Sequence, residues 1–177
     1  GVWDGGGGDA GDDGDDDETP CKIELGGRHF GDRFPLIGDI YYHAYLIVTA
    51  ADESQVAYHG AANGEGCDGL TDWWGCVWVR RLEVPSLDDG VTENTSDIPL
   101  VTLATGMDAC FAGICLENMA TAITDAQVPY EPLVGANSNT VARVMLEACG
   151  MSAAEPAASP GWDDTGLDAL YSDTFYY

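Results

Sequence analysis

Four consecutive polar residues, Asn137 to Thr140, stand directly before a run of apolar residues at helical spacing. Their side-chain oxygens are of the types that accept hydrogen bonds from the unpaired amides of a first helical turn. A cap needs only one or two such residues, and the positive end of the helix dipole favours negative charge. The chemistry that this stretch supports is therefore a hydroxyl nucleophile at Ser138, with Asn137 and Asn139 as donors to an oxyanion.

A nucleophilic hydroxyl needs a base, and His43 is the candidate that the sequence offers. His43 lies in the most strand-like segment, Tyr41 to Thr49, among bulky residues where an imidazole contributes little to packing. Gln55 or His59, in the next predicted strand, would orient this base. The prediction is a Ser138–His43 site. The alternative is that Ser138 caps its own helix and His43 is buried and bonded to backbone.

These residues must be positioned by strands early in the chain and by helices late in it. Alternating or β-branched patterns predict five strands: Cys21–Leu25, Tyr41–Thr49, Ser54–His59, Trp73–Val84 and Pro99–Ala104. Helical spacing predicts one helix within Met107–Ala126 and a second that ends at Cys149, before Gly150. Strands followed by helices indicate an α+β domain, with an antiparallel sheet of about four to six strands and two or three helices.

Composition divides the chain into three regions. Residues 1–20 are rich in Gly and Asp and predict a flexible acidic linker. Residues 21–162 contain all the predicted strands and helices and form one globular domain. Residues 163–177 end in aromatic side chains and predict a tail that either packs on the domain or binds a partner.

The charge balance limits the function classes. The chain has 31 acidic and 6 basic residues, for a formal net charge of −25. Such a protein repels nucleic acid and anionic membranes, and it suits a cationic partner or a salt-rich environment. Neither Cys-x-x-Cys nor His-x-x-x-His occurs, so we predict no metal site and no cofactor. No apolar run approaches the ~20 residues of a membrane span.

Six cysteines predict disulfide bonds and an oxidising compartment. The alternative is that all six are buried thiols of a cytosolic protein. Sequence alone leaves the pairing open. Local spacing favours the pairs Cys67–Cys76 and Cys110–Cys115, with Cys21–Cys149 as the remainder.

Several segments together resemble an uncharacterised module at the C-termini of RHS-repeat proteins, large secreted shells that carry variable toxin domains. They are Cys-Lys-Ile-Glu at 21–24, His-Ala-Tyr-Leu-Ile-Val-Thr at 43–49, Val-Pro-Tyr-Glu-Pro-Leu at 128–133 and Ser-Pro-Gly-Trp at 159–162. The most specific part is residues 129–150, where Ala136 replaces the family's usual Pro before Asn-Ser-Asn. The resemblance implies an exported, effector-like domain with the rest of a larger chain upstream and a protein or cell-surface partner.

A weaker resemblance concerns the fold. A His-bearing strand that precedes a nucleophile-bearing helix start is similar to the circularly permuted papain-like arrangement, whose helix begins Asn-Cys. Ser138 stands at the position of that cysteine. The resemblance implies a hydrolase or acyltransferase using Ser138 and His43, although a hydroxyl needs far stronger activation than a thiol. The alternative function is a non-enzymatic secreted module for binding, adhesion or structure on the same scaffold.

Overall fold

The computed structural model describes residues 21–29, 42–64, 67, 74–84, 98–132, 135–156 and 159–172. The predicted linker, residues 1–20, and the last aromatic residues of the predicted tail, 173–177, lie outside these ranges.

The described strands form one antiparallel sheet in the order β4-β3-β2-β1-β5. Their bounds are Lys22–His29 (β1), Tyr42–Thr49 (β2), Gln55–Ala62 (β3), Val77–Glu83 (β4) and Val101–Thr105 (β5). The sheet is therefore the predicted one. The largest differences are that β1 continues four residues beyond the predicted Leu25 and that β4 begins at Val77, four residues after the predicted start. Cys76, just before β4, pairs with Pro129 in an isolated bridge.

Two helices pack on this sheet, and the predicted α+β class is confirmed. Helix α1 spans Gly106–Asp125, α2 spans Ser138–Ala148, and the single turn α3 spans Ala169–Ser172. Helix α1 contacts β1, β4 and β5, whereas α2 contacts β2 and β3. None of the helices in the described part of the chain has the length and apolar character to cross a membrane.

The sheet has two faces of different chemistry, because successive side chains of a strand point to opposite sides. The helix face contributes to the main core with α1 and α2, whereas the second face carries a separate, smaller apolar cluster. The helix face is defined by Ile23, Leu25, Ala44, Leu46, Tyr58 and Val79. The second face is defined by Arg28, His43, Tyr45, Ile47, His59 and Arg80.

A polar contact fixes α1 against the helix face. The Tyr58 hydroxyl hydrogen-bonds to the Glu117 carboxylate, and Arg81 Nε lies 3.1 Å from the same carboxylate. Burial, followed by the hydrogen bond to and the charge of Glu117, raises the pKa of Tyr58 to about 12. Tyr58 therefore stays protonated and donates to Glu117 at any physiological pH.

Three disulfides stabilise the domain, but two of the predicted pairs are wrong. The pairs are Cys21–Cys110, Cys67–Cys76 and Cys115–Cys149, so only Cys67–Cys76 was predicted correctly.

The predicted Cys110–Cys115 pair conflicts with the helix that carries both residues. Two residues five positions apart on a helix are about 7.5 Å apart along the axis and roughly 140° apart around it. That geometry exceeds the Cα separation that a disulfide spans. Cys110 instead reaches Cys21 before β1, and Cys115 reaches Cys149 after α2. Three disulfides are compatible with an oxidising, extracellular compartment.

The packed body continues beyond Trp162 into the first residues of the predicted tail. Leu167 is fully buried in the main core. Arg143 of α2 donates through Nε to the Trp162 carbonyl at 2.6 Å and through Nη2 to the Asp164 carbonyl and the Asp168 carboxylate, each at 2.5 Å. A single buried guanidinium thus fixes residues 162–168 on α2.

We expect Arg143→Met to lower the free energy of unfolding by about 2–3 kcal/mol, because two backbone carbonyls lose a charged donor while the carboxylates remain partly solvated. Urea denaturation of the oxidised chain measures this change. The matched control is Arg81→Met, since Arg81 and Glu117 are both half exposed and such a pair contributes about 1 kcal/mol or less. Equal losses in the two variants would contradict a special role for Arg143.

Candidate functional site

The start of α2 is a closed hydrogen-bond network centred on Asn137. Asn137 is the N-cap, and its side-chain oxygen accepts from the amides of Asn139 and Thr140 at 2.9 and 3.4 Å. The Thr140 hydroxyl accepts in return from the Asn137 amide at 3.3 Å, which completes a capping box. Asn137 Nδ2 donates to the Pro160 carbonyl at 3.2 Å. The side-chain amide of Asn137 is therefore already engaged by protein partners.

Asn139 connects α2 to the sheet. Its Oδ1 accepts from the Ala44 amide at 2.7 Å, and its Nδ2 donates to the carbonyls of Tyr42 at 3.0 Å and Pro160 at 2.9 Å. The pairing of β2 with β3 ends at Leu46 and Tyr58. Beyond that pair, the Asn139 side-chain amide hydrogen-bonds to the backbone of β2 in the place of β3. Asn139, which was predicted to donate to an oxyanion, is fully buried and connects α2 to β2.

Ser138 lies between α2 and β3 rather than in a cleft. Its side chain is 0% exposed, and its hydroxyl is buried without a hydrogen-bond partner of good geometry. A Cβ at Gly60 would lie 2.8 Å from the Ser138 Cα, so only glycine permits this approach. Burial raises the pKa of the nearby Tyr130 hydroxyl.

His43 faces away from Ser138. Its neighbour Ala44 belongs to the core of the helix face, and Gly60 on β3 contacts Ser138, so His43 and His59 lie on the second face. There His43 Nε2 is 3.0 Å from His59 Nδ1. The structure therefore does not bring Ser138 and His43 together. The physical reason is the alternation of the strand, which places adjacent residues on opposite sides of the sheet.

The two residues proposed to orient His43 have different positions. His59, one of the two residues predicted to orient His43, contacts it directly. Gln55 lies near the turn of the hairpin, where its Nε2 donates to Thr49 Oγ1 at 3.2 Å. Gln55 is thus bonded to Thr49 and not to His43.

The histidine pair has positively charged neighbours. Arg28 is the register partner of His43 on β1, and Arg80 is the register partner of His59 on β4. Burial, then the charges of His59 and Arg28, hold the pKa of His43 well below its usual value. A cation is unfavourable between two arginines, and the described residues contain no group of three or more side chains suited to hold a metal ion.

A cleft of about 330 Å³ opens beside the α2 capping network. Three of its lining residues carry carboxylates: Glu155, Asp163 and Asp164. The other lining residues are Gly135, Ser159, Pro160, Gly161 and Trp162. Ser138, His43 and Asn139 are not among its lining residues. The cleft and the predicted nucleophile are therefore separate features.

The positions of Arg28 and Arg80 beside the two histidines were not predicted, although the sequence contains part of the pattern that places Arg80 there. Within the predicted strand Trp73–Val84, Val77 and Val79 alternate with Trp78 and Arg80, which places the latter two on one face. The register that sets Arg80 beside His59 and Arg28 beside His43 is visible only in the structure.

Comparison of the chain with known protein families, characterised proteins and solved structures finds no match.

Proposed function

We propose that this chain is a non-enzymatic binding module of a secreted protein, carried as the C-terminal part of an RHS-type parent chain. The observation that supports this proposal best is the complete burial of Ser138. A nucleophile must reach its substrate and a base. Ser138 is enclosed by β3 and α2, and the imidazole predicted to activate it lies on the other side of the sheet.

The polar run at residues 137–140 has a sufficient structural explanation. Asn137 caps the helix, Asn139 bonds to β2, and the Thr140 hydroxyl contacts the carbonyls of Gly135 and Gly161 at 3.1 and 2.5 Å. These contacts join the helix start, the sheet and the segment that follows α2. The motif that carries the RHS resemblance is, on this proposal, a folding motif of a stable scaffold.

Secretion is supported by the three disulfides, and a salt-rich environment by the formal net charge of −25. The competing proposal is a papain-like hydrolase or acyltransferase with Ser138 as nucleophile. It would require the start of α2 to leave the sheet, which breaks the two hydrogen bonds that join Asn139 to β2.

Ser138→Ala tests the proposal. We expect the variant to fold with a change of about 1 kcal/mol or less, since it removes a buried hydroxyl that has no good partner. A fluorophosphonate probe should label Ser138 no more than Ser159, a buried serine whose hydroxyl donates to the Pro156 carbonyl at 2.9 Å. Binding of the fluorescently labelled chain to whole cells should be the same for wild type and variant.

Selective labelling of Ser138, or an activity on acyl or peptide substrates that Ser138→Ala abolishes, would contradict the non-enzymatic proposal. Mass spectrometry after protease digestion distinguishes the two serines, because Arg143 separates them in the sequence.

A further inference from the structure

Strand β5 forms one edge of the sheet, and its outward side is open within the described part of the chain. It stands last in the strand order and pairs with β1 on its other side. Among the described residues, no backbone hydrogen bond joins Val101–Thr105 to a strand or loop other than β1. Such an edge presents N–H and C=O groups that can pair with a further strand.

The opposite edge of the sheet is closed in a way that β5 is not. There the Val77 amide donates to the Val128 carbonyl at 2.7 Å, and the Val79 amide donates to Thr124 Oγ1 at 3.1 Å. Strand β4 also carries charged side chains, which commonly prevent edge-to-edge pairing. Strand β5 reads Val-Thr-Leu-Ala-Thr, without charge and without proline. Only its short length and a bulge in its pairing with β1 restrict the strand that it offers.

Two exposed apolar side chains lie at the two ends of this edge. Val101, the first residue of β5, is 51% exposed, and its register partner Leu25 belongs to the helix face. Residues directly opposite each other in an antiparallel pair share a face, so Val101 lies on the helix face as well. Met107, two residues after β5 ends, is 54% exposed and stands in the first turn of α1, which packs on that face.

An antiparallel pairing of two copies of β5 brings these side chains together. A twofold axis perpendicular to the sheet keeps both helix faces on the same side and sets the start of one β5 beside the end of the other. Val101 of each copy then lies near Met107 of the second copy, as a self-complementary interface requires. One geometry thus pairs the open backbone and covers both exposed side chains.

Charge favours this segment as the place where two copies meet. The chain has a formal net charge of −25, so two copies repel each other. Residues 98–107 contain no charged side chain, although Asp97 and Asp108 stand at the two ends of this run. A contact formed by residues 98–107 therefore avoids setting carboxylates directly against one another. The repulsion that remains is of the kind that salt screens.

We propose that the open edge of β5, together with Met107, is a self-association surface whose occupant is the same edge of a second copy of this chain. The product is a twofold dimer in which the two five-stranded sheets are continuous. Because the paired strands are short, the dimer is weak and forms at high protein concentration. The inference goes beyond the proposed function and does not rest on it.

Analytical ultracentrifugation of the oxidised full chain tests the dimer, at concentrations from about 10 µM to about 1 mM because small interfaces are weak. We expect the mass to rise with concentration from that of one chain toward that of two. Raising NaCl from about 0.15 M to about 1 M should strengthen the association about tenfold, since the Debye length falls from ~8 to ~3 Å.

Val101→Ser should weaken dimerisation about tenfold, because each dimer then lacks two covered valine side chains. Ile114→Ser is the matched control and should change the dissociation constant less than about twofold. Ile114 is 63% exposed, but a Cβ on its neighbour Gly113 would lie 3.1 Å from Val48 of β2, two strands in from the edge. If Val101→Ser does not fold, Met107→Ser replaces it with the same expectation.

Hydrogen exchange locates the contact. Protection of backbone amides within Val101–Thr105 should rise with protein concentration, whereas that of the β4 amides should not change. A chain that stays monomeric throughout, a dimer that Val101→Ser leaves intact or that salt weakens, or protection confined to other parts of the chain would overturn the proposal. None of these results bears on the labelling of Ser138, so the two proposals fail separately.

Discussion

Asn139→Ala is expected to lower the free energy of unfolding by about 3–5 kcal/mol, because it removes a fully buried amide and leaves several buried backbone groups unbonded. The Ala44 amide loses its acceptor, and the Tyr42 carbonyl loses its donor. The start of β2 and the start of α2 would then separate or admit water. Chemical denaturation of the oxidised chain, monitored by tryptophan fluorescence, measures this loss.

Asn118→Ala is the matched control for this substitution. Asn118 is an exposed residue of α1, where alanine is the better helix former, so its replacement should be neutral or slightly stabilising. Hydrogen exchange of the Ala44 amide gives a local readout, since its protection should fall in Asn139→Ala and persist in Asn118→Ala. A loss below about 1 kcal/mol for Asn139→Ala would show that the joint between α2 and β2 is not a main source of stability.

Replacing Cys21 and Cys110 together by alanine is expected to destabilise the domain by about 4–5 kcal/mol. This disulfide closes a separation of 89 residues, the longest of the three, so its removal releases the most conformational entropy in the unfolded chain. Cys115–Cys149 spans 34 residues and Cys67–Cys76 spans 9. The corresponding double variants should therefore lose less stability, in that order.

Thermal and urea unfolding of the three double-alanine variants measures the ranking. Peptide mapping under non-reducing conditions is an independent check, because peptides that contain Cys21 and Cys110 should remain linked. A disulfide between Cys110 and Cys115 would contradict both the pairing and the helix that carries them. A Cys67–Cys76 variant that is the least stable of the three would contradict the entropic ranking.

The two predictions concern the same property of the domain, which is that its stabilising contacts are long-range. Asn139 bonds to residues of β2 almost a hundred positions earlier, and Cys110 bonds to Cys21 at the start of β1. Such contacts fix α1 and α2 on one face of the sheet. The second face carries the contact between His43 and His59 and the smaller apolar cluster.

Local pattern was sufficient to predict the elements. The aromatic and β-branched run at Tyr42–Thr49 forms β2, and the chain turns back into β3, which begins at Gln55, one residue after the predicted Ser54. The polar run before α2 caps that helix, with Asn137 as the N-cap. These features depend on residues within one turn or one hairpin, so propensity and spacing determine them.

The candidate site was decided by tertiary structure. The alternation of β2 defines two sets of side chains, but nothing in the sequence states which set the helices cover. Packing of α2 against Ala44 and Gly60 assigned His43 to the other face, beside His59 and away from Ser138.

The disulfide partners and the strand register were also decided by the tertiary structure. The six cysteines by themselves predicted disulfides, yet the path of α1 across the sheet decided that Cys110 meets Cys21 and that Cys115 meets Cys149. Likewise, two arginines far apart in sequence became neighbours of the histidine pair through the registers of β1 with β2 and of β3 with β4. The sequence by itself determined which elements form, because their patterns are local. Only the tertiary structure decided which side chains meet, because those contacts join residues that no local pattern relates.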